Sequence, residues 1–508
     1  MSSALLILAL LTPLLTLVFV FTRIGGPLTV VAALPALAAA IAVPAGTSID
    51  IPWLLLGTRL GLDANAGIFL LFTSLLWMVA AAHAASQLQV DVNAVRFRIF
   101  YLLAMSGNFI LVLGQDLISF YLGFALMGLA AYGLVVHDGT PLARRAGRIY
   151  LVMTLVAEFA LLFAFVMMYW RTGTLSPNHA QLIGAGMLEL GLLMLAFGIK
   201  AGVIGLHLWL PLAHPAAPVP ASAVLSGAMI KTALIGWMRY LPFGHESLPE
   251  WGLLLLIAGA AGALLALPLG LPQTNPKVVL AYSSVGKMGS MVCALGLALI
   301  EPSAAPAIIA AVTLFAAHHG LTKGALFLGF GVVKSSSSPW AFSLLVFPAL
   351  ALAGLPFTTG ALAKEFLSLS VLGVAEKWSW VFFWLLPIAA LSTALLMARF
   401  LYLMSGLAER KSSFPLLPAL PWLGLLTVIL LTPLAYDGLP SPVKNSWPIA
   451  IAAATAILVT RARPALLTSL VGRIPPGDLI VPLSNLTARL VAAYRLSRGR
   501  LRAANEAG

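Results

Sequence analysis

The sequence predicts an all-α polytopic membrane protein of about 15 transmembrane helices, and three observations carry that prediction. Hydrophobic residues fill 61% of the 508 positions and charged residues only 9%, which leaves too little polar surface to face water on all sides. Apolar runs of about 20 residues recur from end to end, each long enough to cross a hydrocarbon core of roughly 30 Å as a helix. These runs lack the alternation of a barrel strand, and only helices and closed barrels satisfy their backbone groups in lipid.

The first run, Ala4 to Thr22, has no basic residue ahead of it and no small-residue cleavage site followed by a soluble domain, so it reads as a span and not as a removed signal. Further spans begin near Pro27, Ala66, Phe97, Asp116, Ile149, Met187, Pro220, Trp251, Val278, Pro306, Ala341, Val381, Leu417 and Trp447. Two of them look interrupted. The run around Lys200 is followed by His207 and by prolines at 211, 215, 218 and 220, and the run from Ala341 is broken at Gly354-Leu355-Pro356. Proline and glycine inside membrane segments free backbone groups that must line a cavity or be covered by protein, and a matched pair of breaks points to an internal repeat. The reading is two five-helix repeats in inverted orientation, with N-terminal helices over 1–95, a first half-channel over 96–245, a second over 246–410, and C-terminal helices with a basic tail over 411–508.

The net charge of +13 would suggest nucleic acid in a soluble protein, but here the basic residues sit in loops and in the tail, where lipid orientation explains them and no nucleic acid is expected. Alternate loops differ. One side holds Arg96, Arg98, Arg144, Arg145, Arg148, Lys277, Lys334, Arg410, Lys411 and the tail, whereas the other holds little more than Arg171, Arg239, Lys377 and Lys444. The first side is then cytoplasmic, in a bacterial inner membrane, with the N-terminus outside and the C-terminus inside. From Arg461 the tail carries Arg473, Arg489, Arg495, Arg498, Arg500 and Arg502 among apolar residues, with a break at Pro475 to Asp478. Such a segment lies on an anionic membrane surface or on a partner, or serves as a stop-transfer anchor. The one cysteine, Cys293, excludes a disulfide framework and iron–sulfur ligation by this chain alone.

A lysine at mid-membrane costs about 3 kcal/mol on insertion scales, so each needs a partner or a job. Lys200, Lys231, Lys323 and Lys364 lie in apolar surroundings, and Lys287 is a fifth candidate. A buried amine gains and loses a proton as its partner moves. Histidines add relay stations near neutral pH: His207 and His214 flank the break after Lys200, and His319 stands four residues before Lys323 on one helix face. Ser283, Ser284, Thr322 and Tyr282 are placed to hold waters between them. Glu158 is the mid-span carboxylate suited to pair with a lysine, and Glu189, Glu365 and Asp116 are the others. His83 reads as a packing residue. Lys277, Lys334 and Lys444, near span ends, read as snorkelling side chains. No nucleophile–base pair, phosphate loop or metal-ligand cluster stands out, so neither a catalytic site nor a cofactor is expected in this chain.

The stretch 200–239, KAGVIGLHLWLPLAHPAAPVPASAVLSGAMIKTALIGWMR, resembles the signature of the antiporter-like membrane subunits of respiratory complex I and its relatives. HLWLPLAHPAAP followed by SGAMIKT is most similar to the membrane subunit of formate hydrogenlyase-type complexes and to the large Mrp-type antiporter subunits. LAYSSVGKMG at 280–289, HHGLTKGALFLGFG at 318–331 and GLPFTTGALAKEF at 354–366 match in the same order. The resemblance implies inverted repeats with broken helices and a lateral place in a multisubunit complex. By position it makes Lys200 the central lysine of the first broken helix and Lys231 the bridging lysine. His319 and Lys323 become the link between half-channels, and Lys364 the terminal group. Two departures stand out. The family's Trp-Glu pair in the fifth span is replaced by Phe124-Ala125, so that either Glu158 substitutes from the next span or the first half has lost coupling; and Lys287 replaces a glutamine.

The leading expectation is a proton-translocating subunit of a complex-I-like, hydrogenase-like or Mrp-like assembly. Its partners would be other membrane subunits, the bilayer, and a peripheral redox or carbon-uptake subunit, so that it forms part of a membrane oxidoreductase or translocase. The alternatives are a motive-force supplier for an inorganic-carbon uptake complex and a non-pumping scaffold.

Overall fold

A computed structural model describes residues 2–87, 91–372, 374–407, 414–435, 442–462, 472 and 474–477. The chain starts with α1 (Ser2–Thr16), α2 (Gly25–Val31) and α3 (Leu34–Ala42), continues through a hairpin of β1 (Thr47–Ile51) and β2 (Thr58–Leu62), and enters α4 (Ala64–Gln87). Next come α5 (Ala94–Leu113), α6 (Leu117–Val135), α7 (Pro141–Thr172) and α8 (Met187–Ala201), then the short α9 (Trp209–Ala216), α10 (Val219–Gly227) and α11 (Thr232–Tyr240). The second half holds α12 (Pro249–Gly270), α13 (Pro276–Ile300), α14 (Ala305–Ser336), α15 (Pro339–Ala353), α16 (Thr359–Ser370), α17 (Glu376–Ser405), α18 (Leu416–Leu431) and α19 (Pro442–Ala462).

The fold is all-α and polytopic. Among the described residues 12 helical segments are long and apolar enough to cross a membrane. The three remaining candidates of the sequence, those from Met187, Ala341 and Trp447, fall on α8, α15 and α19. α8 and α15 are 15 residues each, cut short by the two breaks. The hairpin departs from an all-helix reading: Ile49 sits opposite Leu60 in an antiparallel pair. Five-residue strands between glycine turns leave little trace beside span-length runs. Asp116 secures the hairpin to the helices. Its Oδ1 accepts from Ser119 N (2.8 Å) as the N-cap of α6, and its Oδ2 accepts from Arg59 N (2.9 Å).

α13 forms the centre of the bundle, with α14 beside it, while α7, α12 and α17 turn large apolar side chains outward. α13 reaches α12 through a glycine seam. A methyl added at Gly259 would stand 2.4 Å from Cys293 N, and one at Gly289 2.5 Å from Gly259 O, so only hydrogen permits this backbone approach. Helices that meet in lipid gain from such close packing because no hydrophobic drive separates protein from solvent there. Near the tail, Gly472 N donates to Pro272 O (2.8 Å) and Gln273 Nε2 donates to Ile474 O (3.2 Å), which seats that segment on the α12–α13 loop. The arginines from Arg473 onward, with Arg410 and Lys411, lie outside the described residues.

Arg239, in the last turn of α11, clamps one end of the bundle. It donates to the carbonyls of Leu111 (2.9 Å), Val112 (2.6 Å) and Gly114 (2.7 Å) at the end of α5, and to Asp63 Oδ2 (3.2 Å). Helix-end carbonyls lack partners within their own helix, so Arg239→Ala is expected to cost about 3 kcal/mol, read as a lower thermal unfolding midpoint in detergent. Burial pushes the Asp63 carboxyl up, but Arg239 and the amides of Ala66 and Asn65 outweigh it and hold it below its ordinary value. The Asp63 contact is therefore complete above about pH 4 and fades as the pH falls through the depressed value.

Candidate functional site

The first break follows directly from α8. Gly202 caps that helix in the left-handed region (φ 68°), where a side chain would be strained, and Gly205 takes the same region (φ 88°) before α9 begins. Lys200 sits in the last turn of α8, where the helix dipole favours a cation. It is buried, and its Nζ lies over the Phe124 ring, 5.0 Å from the centroid. Glu158 reaches the same place from α7. A methyl on Gly128 of α6 would stand 2.8 Å from Glu158 Oε1 and 3.5 Å from Lys200 Nζ, so the bare glycine makes room for the two groups side by side. The carboxylate that the sequence leaves without an assigned lysine thus faces Lys200, and Phe124 offers that ammonium a π face. Glu189 is elsewhere, in a two-pronged ion pair with Arg171 (2.7 and 3.0 Å).

The centre of the bundle holds the next groups. Lys231 ends the tight turn Met229–Lys231 between α10 and α11, fully buried, and its ammonium donates to Ser226 O. Ser226 Oγ in turn meets Ser284 Oγ at 2.9 Å. Lys323 of α14, also fully buried, donates to Leu280 O (2.7 Å) and to Ser283 Oγ. His319 lies one turn earlier with neither ring nitrogen hydrogen-bonded among the described residues, and the charges of Lys231, Lys323 and Lys287 act on it. Three lysines and one imidazole with open nitrogens therefore bring four groups that can hold an exchangeable proton into one buried cluster.

The second break mirrors the first in its chemistry. Gly354 caps α15 at φ 93°, and Lys364 of α16 folds back against it, since a methyl on Gly354 would stand 3.0 Å from Lys364 Cδ and 3.4 Å from Nζ. Lys287 joins this end to the centre: its Nζ lies 5.5 Å from the Phe315 centroid, and the charge of Lys364 acts on it. His207, in the first break, accepts from Gly205 N through Nδ1 (3.3 Å), with its ring 6.1 Å from that of Tyr282. His214 stacks on Phe327 at 4.6 Å.

Two residues differ from the sequence reading. His318 hydrogen-bonds Thr359 Oγ1 at the start of α16 (2.8 Å) and Thr322 Oγ1 (3.2 Å), tying α14 to the second break. The doubled histidine of HHGLTKG signals it, but helical spacing to Lys323 favours its neighbour. Lys277 does not snorkel. It is 7% exposed, and its Nζ points inward to Ala217 O (2.6 Å), just after α9, and to Ser222 Oγ (3.3 Å) of α10, so acceptors inside the protein hold the ammonium. Lys334 is exposed, as expected, and the side chain of Lys444 lies outside the described residues. His83 is fully buried, with Nε2 against Gly331 of α14.

A family model described as the NADH:quinone oxidoreductase/Mrp antiporter transmembrane region matches residues 114–396, more than half of the chain and every one of these groups except His83 and Lys444. The chain is 27% identical to hydrogenase-4 component B of Escherichia coli strain K12, over 60% of its own length and 50% of that protein. It is 29% identical to NADH-quinone oxidoreductase subunit N of Desulforudis audaxviator, over 68% of its own length and 71% of the relative. The chain spans about half the length of the hydrogenase-4 component. In fold it is similar to a chain of the Mrp complex from a Dietzia species (TM-score 0.74, 22% identity, covering 97% of this chain and 59% of that one). It is likewise similar to a chain of an archaeal membrane-bound sulfane sulfur reductase (TM-score 0.71, 19% identity, covering 92% and 99%). This chain is a multi-pass membrane protein that belongs to the NADH:quinone oxidoreductase/Mrp antiporter transmembrane family.

Proposed function

We propose that this subunit translocates protons along its buried Lys and His residues, as part of a larger membrane assembly driven by a partner's redox reaction or by ion exchange. The observation that carries the reading is the set of amines and imidazoles gathered between the two helix breaks, all buried except Lys364, which is half-buried. It comprises the Glu158–Lys200 pair, the central Lys231, His319 and Lys323, and then Lys287 and Lys364. Intramembrane cations that serve only packing are rare because each costs insertion energy, and four buried lysines with a fifth half-buried support a transport role. His207 and His214 stand beside the first break as side stations. On this reading residues 96–245 and 246–410 are two half-channels in inverted orientation. The loop asymmetry favours a bacterial inner membrane with the N-terminus outside and the C-terminus in the cytoplasm. Other membrane subunits supply the driving reaction, as suggested by the complexes named for its relatives.

The test is proton uptake by sealed vesicles carrying the whole complex, followed with a pH-sensitive dye. Lys364→Ala is expected to slow uptake about tenfold or more while the complex assembles normally. An unchanged rate in assembled complex removes the reading.

A further inference from the structure

Lys277 opens the first turn of α13, at the edge of the span, yet its ammonium is turned into the protein. The bonds to Ala217 O and Ser222 Oγ aim it at the segment just after α9. The Ser222 hydroxyl itself donates toward the carbonyls of His214 (3.0 Å) and Ala217 (3.3 Å), which holds its oxygen toward the lysine. The Phe330 ring lies beside both Lys277 and the exposed Lys334, with its centroid 5.7 Å from Lys277 Nζ and 6.0 Å from Lys334 Nζ. The exposed Asp138 also acts on Lys277 by its charge. Through Ser222, which Lys277 reaches and whose hydroxyl donates to the His214 carbonyl, the lysine is linked to His214, which has no exposed surface and neither ring nitrogen hydrogen-bonded among the described residues. The lysines whose charges act on its ring are Lys277, Lys323 and Lys231.

We propose that Lys277 is the group through which protons pass between the loop face and the central cluster, with His214 as its inner acceptor and Phe330 as the ring that closes the mouth. The proposal rests on the preceding reading that the cluster carries protons. In the step, a hydronium at the mouth protonates the Lys277 amine and leaves water. The resulting ammonium gives one proton to a His214 ring nitrogen and returns to the amine, with no change of oxidation state. A brace alone would need only a neutral donor at this position, since burying an ammonium carries a desolvation cost that hydrogen bonds to neutral groups repay in part.

The test uses the assembled complex in sealed vesicles. Lys277→Met is expected to slow proton uptake about tenfold or more. Lys277→Arg keeps the positive charge and the donors but holds its proton, so it stays slow if Lys277 exchanges a proton and recovers if Lys277 is a brace. Lys200→Ala separates the two levels: if it stops uptake while Lys277→Met does not, this proposal falls alone; if neither variant slows uptake, the underlying reading falls as well. A second readout is independent of transport. Cys293 is the only cysteine, so Lys277→Cys in a Cys293→Ala background offers one thiol to a membrane-impermeant maleimide. Labelling is expected only from the face that carries Asp138 and Lys334, and at least about tenfold faster once Phe330→Ala removes the ring. Labelling from the opposite face, or a rate unmoved by Phe330→Ala, overturns the proposal.

Discussion

Lys323→Met is expected to stop proton movement through the subunit, to about 100-fold below the unaltered complex, while leaving the subunit folded and assembled. Lys323 ties the cluster to α13: it bonds to α13 through Leu280 O and Ser283, and the charges of Lys231 and Lys287 act on it. Methionine fills much the same volume without an amine, so the cluster loses the amine without a void. Replacing a buried charge by an apolar side chain of similar size is often neutral or stabilising, which predicts an unchanged or higher unfolding midpoint. The measurement is paired uptake and thermal unfolding on the same preparation. Full uptake with Lys323→Met would show that protons, if they move, take another course.

The second large effect is at the first break. Glu158→Gln keeps shape and hydrogen-bonding capacity but removes the negative charge beside Lys200, and uptake is expected to fall about tenfold. The carboxylate is the nearby anion that can draw a proton onto Lys200 and release it when the pair separates. Gly128→Ala tests the geometry with both charges kept. The added methyl would stand 2.8 Å from Glu158 Oε1, so the carboxylate end must swing away, and a milder slowing is expected. Adding Ala125→Glu to Glu158→Gln returns a carboxylate to the place where the resemblance puts one, one helical turn from Gly128, and should restore part of the rate. Normal uptake by the Glu158→Gln complex would mean that Lys200 works without this partner.

Much of the site is legible in the order of residues because lipid makes ionisable groups conspicuous. Lys200, Lys231, Lys323 and Lys364 stand out for their surroundings. The prolines that mark the first break fall at or within α9 and α10, just after the turn that Gly202 opens, whereas the Gly354 break can be located from glycine and proline. Partner choice cannot. Glu158 meets Lys200 only because α6 presents a glycine at 128 between them, a relation among three helices that no spacing along one helix reveals. Lys277 departs from expectation for the opposite reason: its position at a span end suggests snorkelling, and the acceptors at Ala217 and Ser222 come from a segment about 60 residues away. His318 is hidden because helix periodicity ranks neighbours on its own helix and is blind to Thr359 of α16.

The amino-acid order by itself determined the solvent, the helical class, the two breaks and the identity of the buried charged residues, since each follows from the cost of placing a chain and its charges in hydrocarbon. Only the tertiary structure decided which carboxylate faces which lysine, that Lys277 points inward, and which imidazoles lie beside the central lysines. Those relations depend on how closely helices approach and on where an acceptor is within reach, and both are set by packing between distant segments.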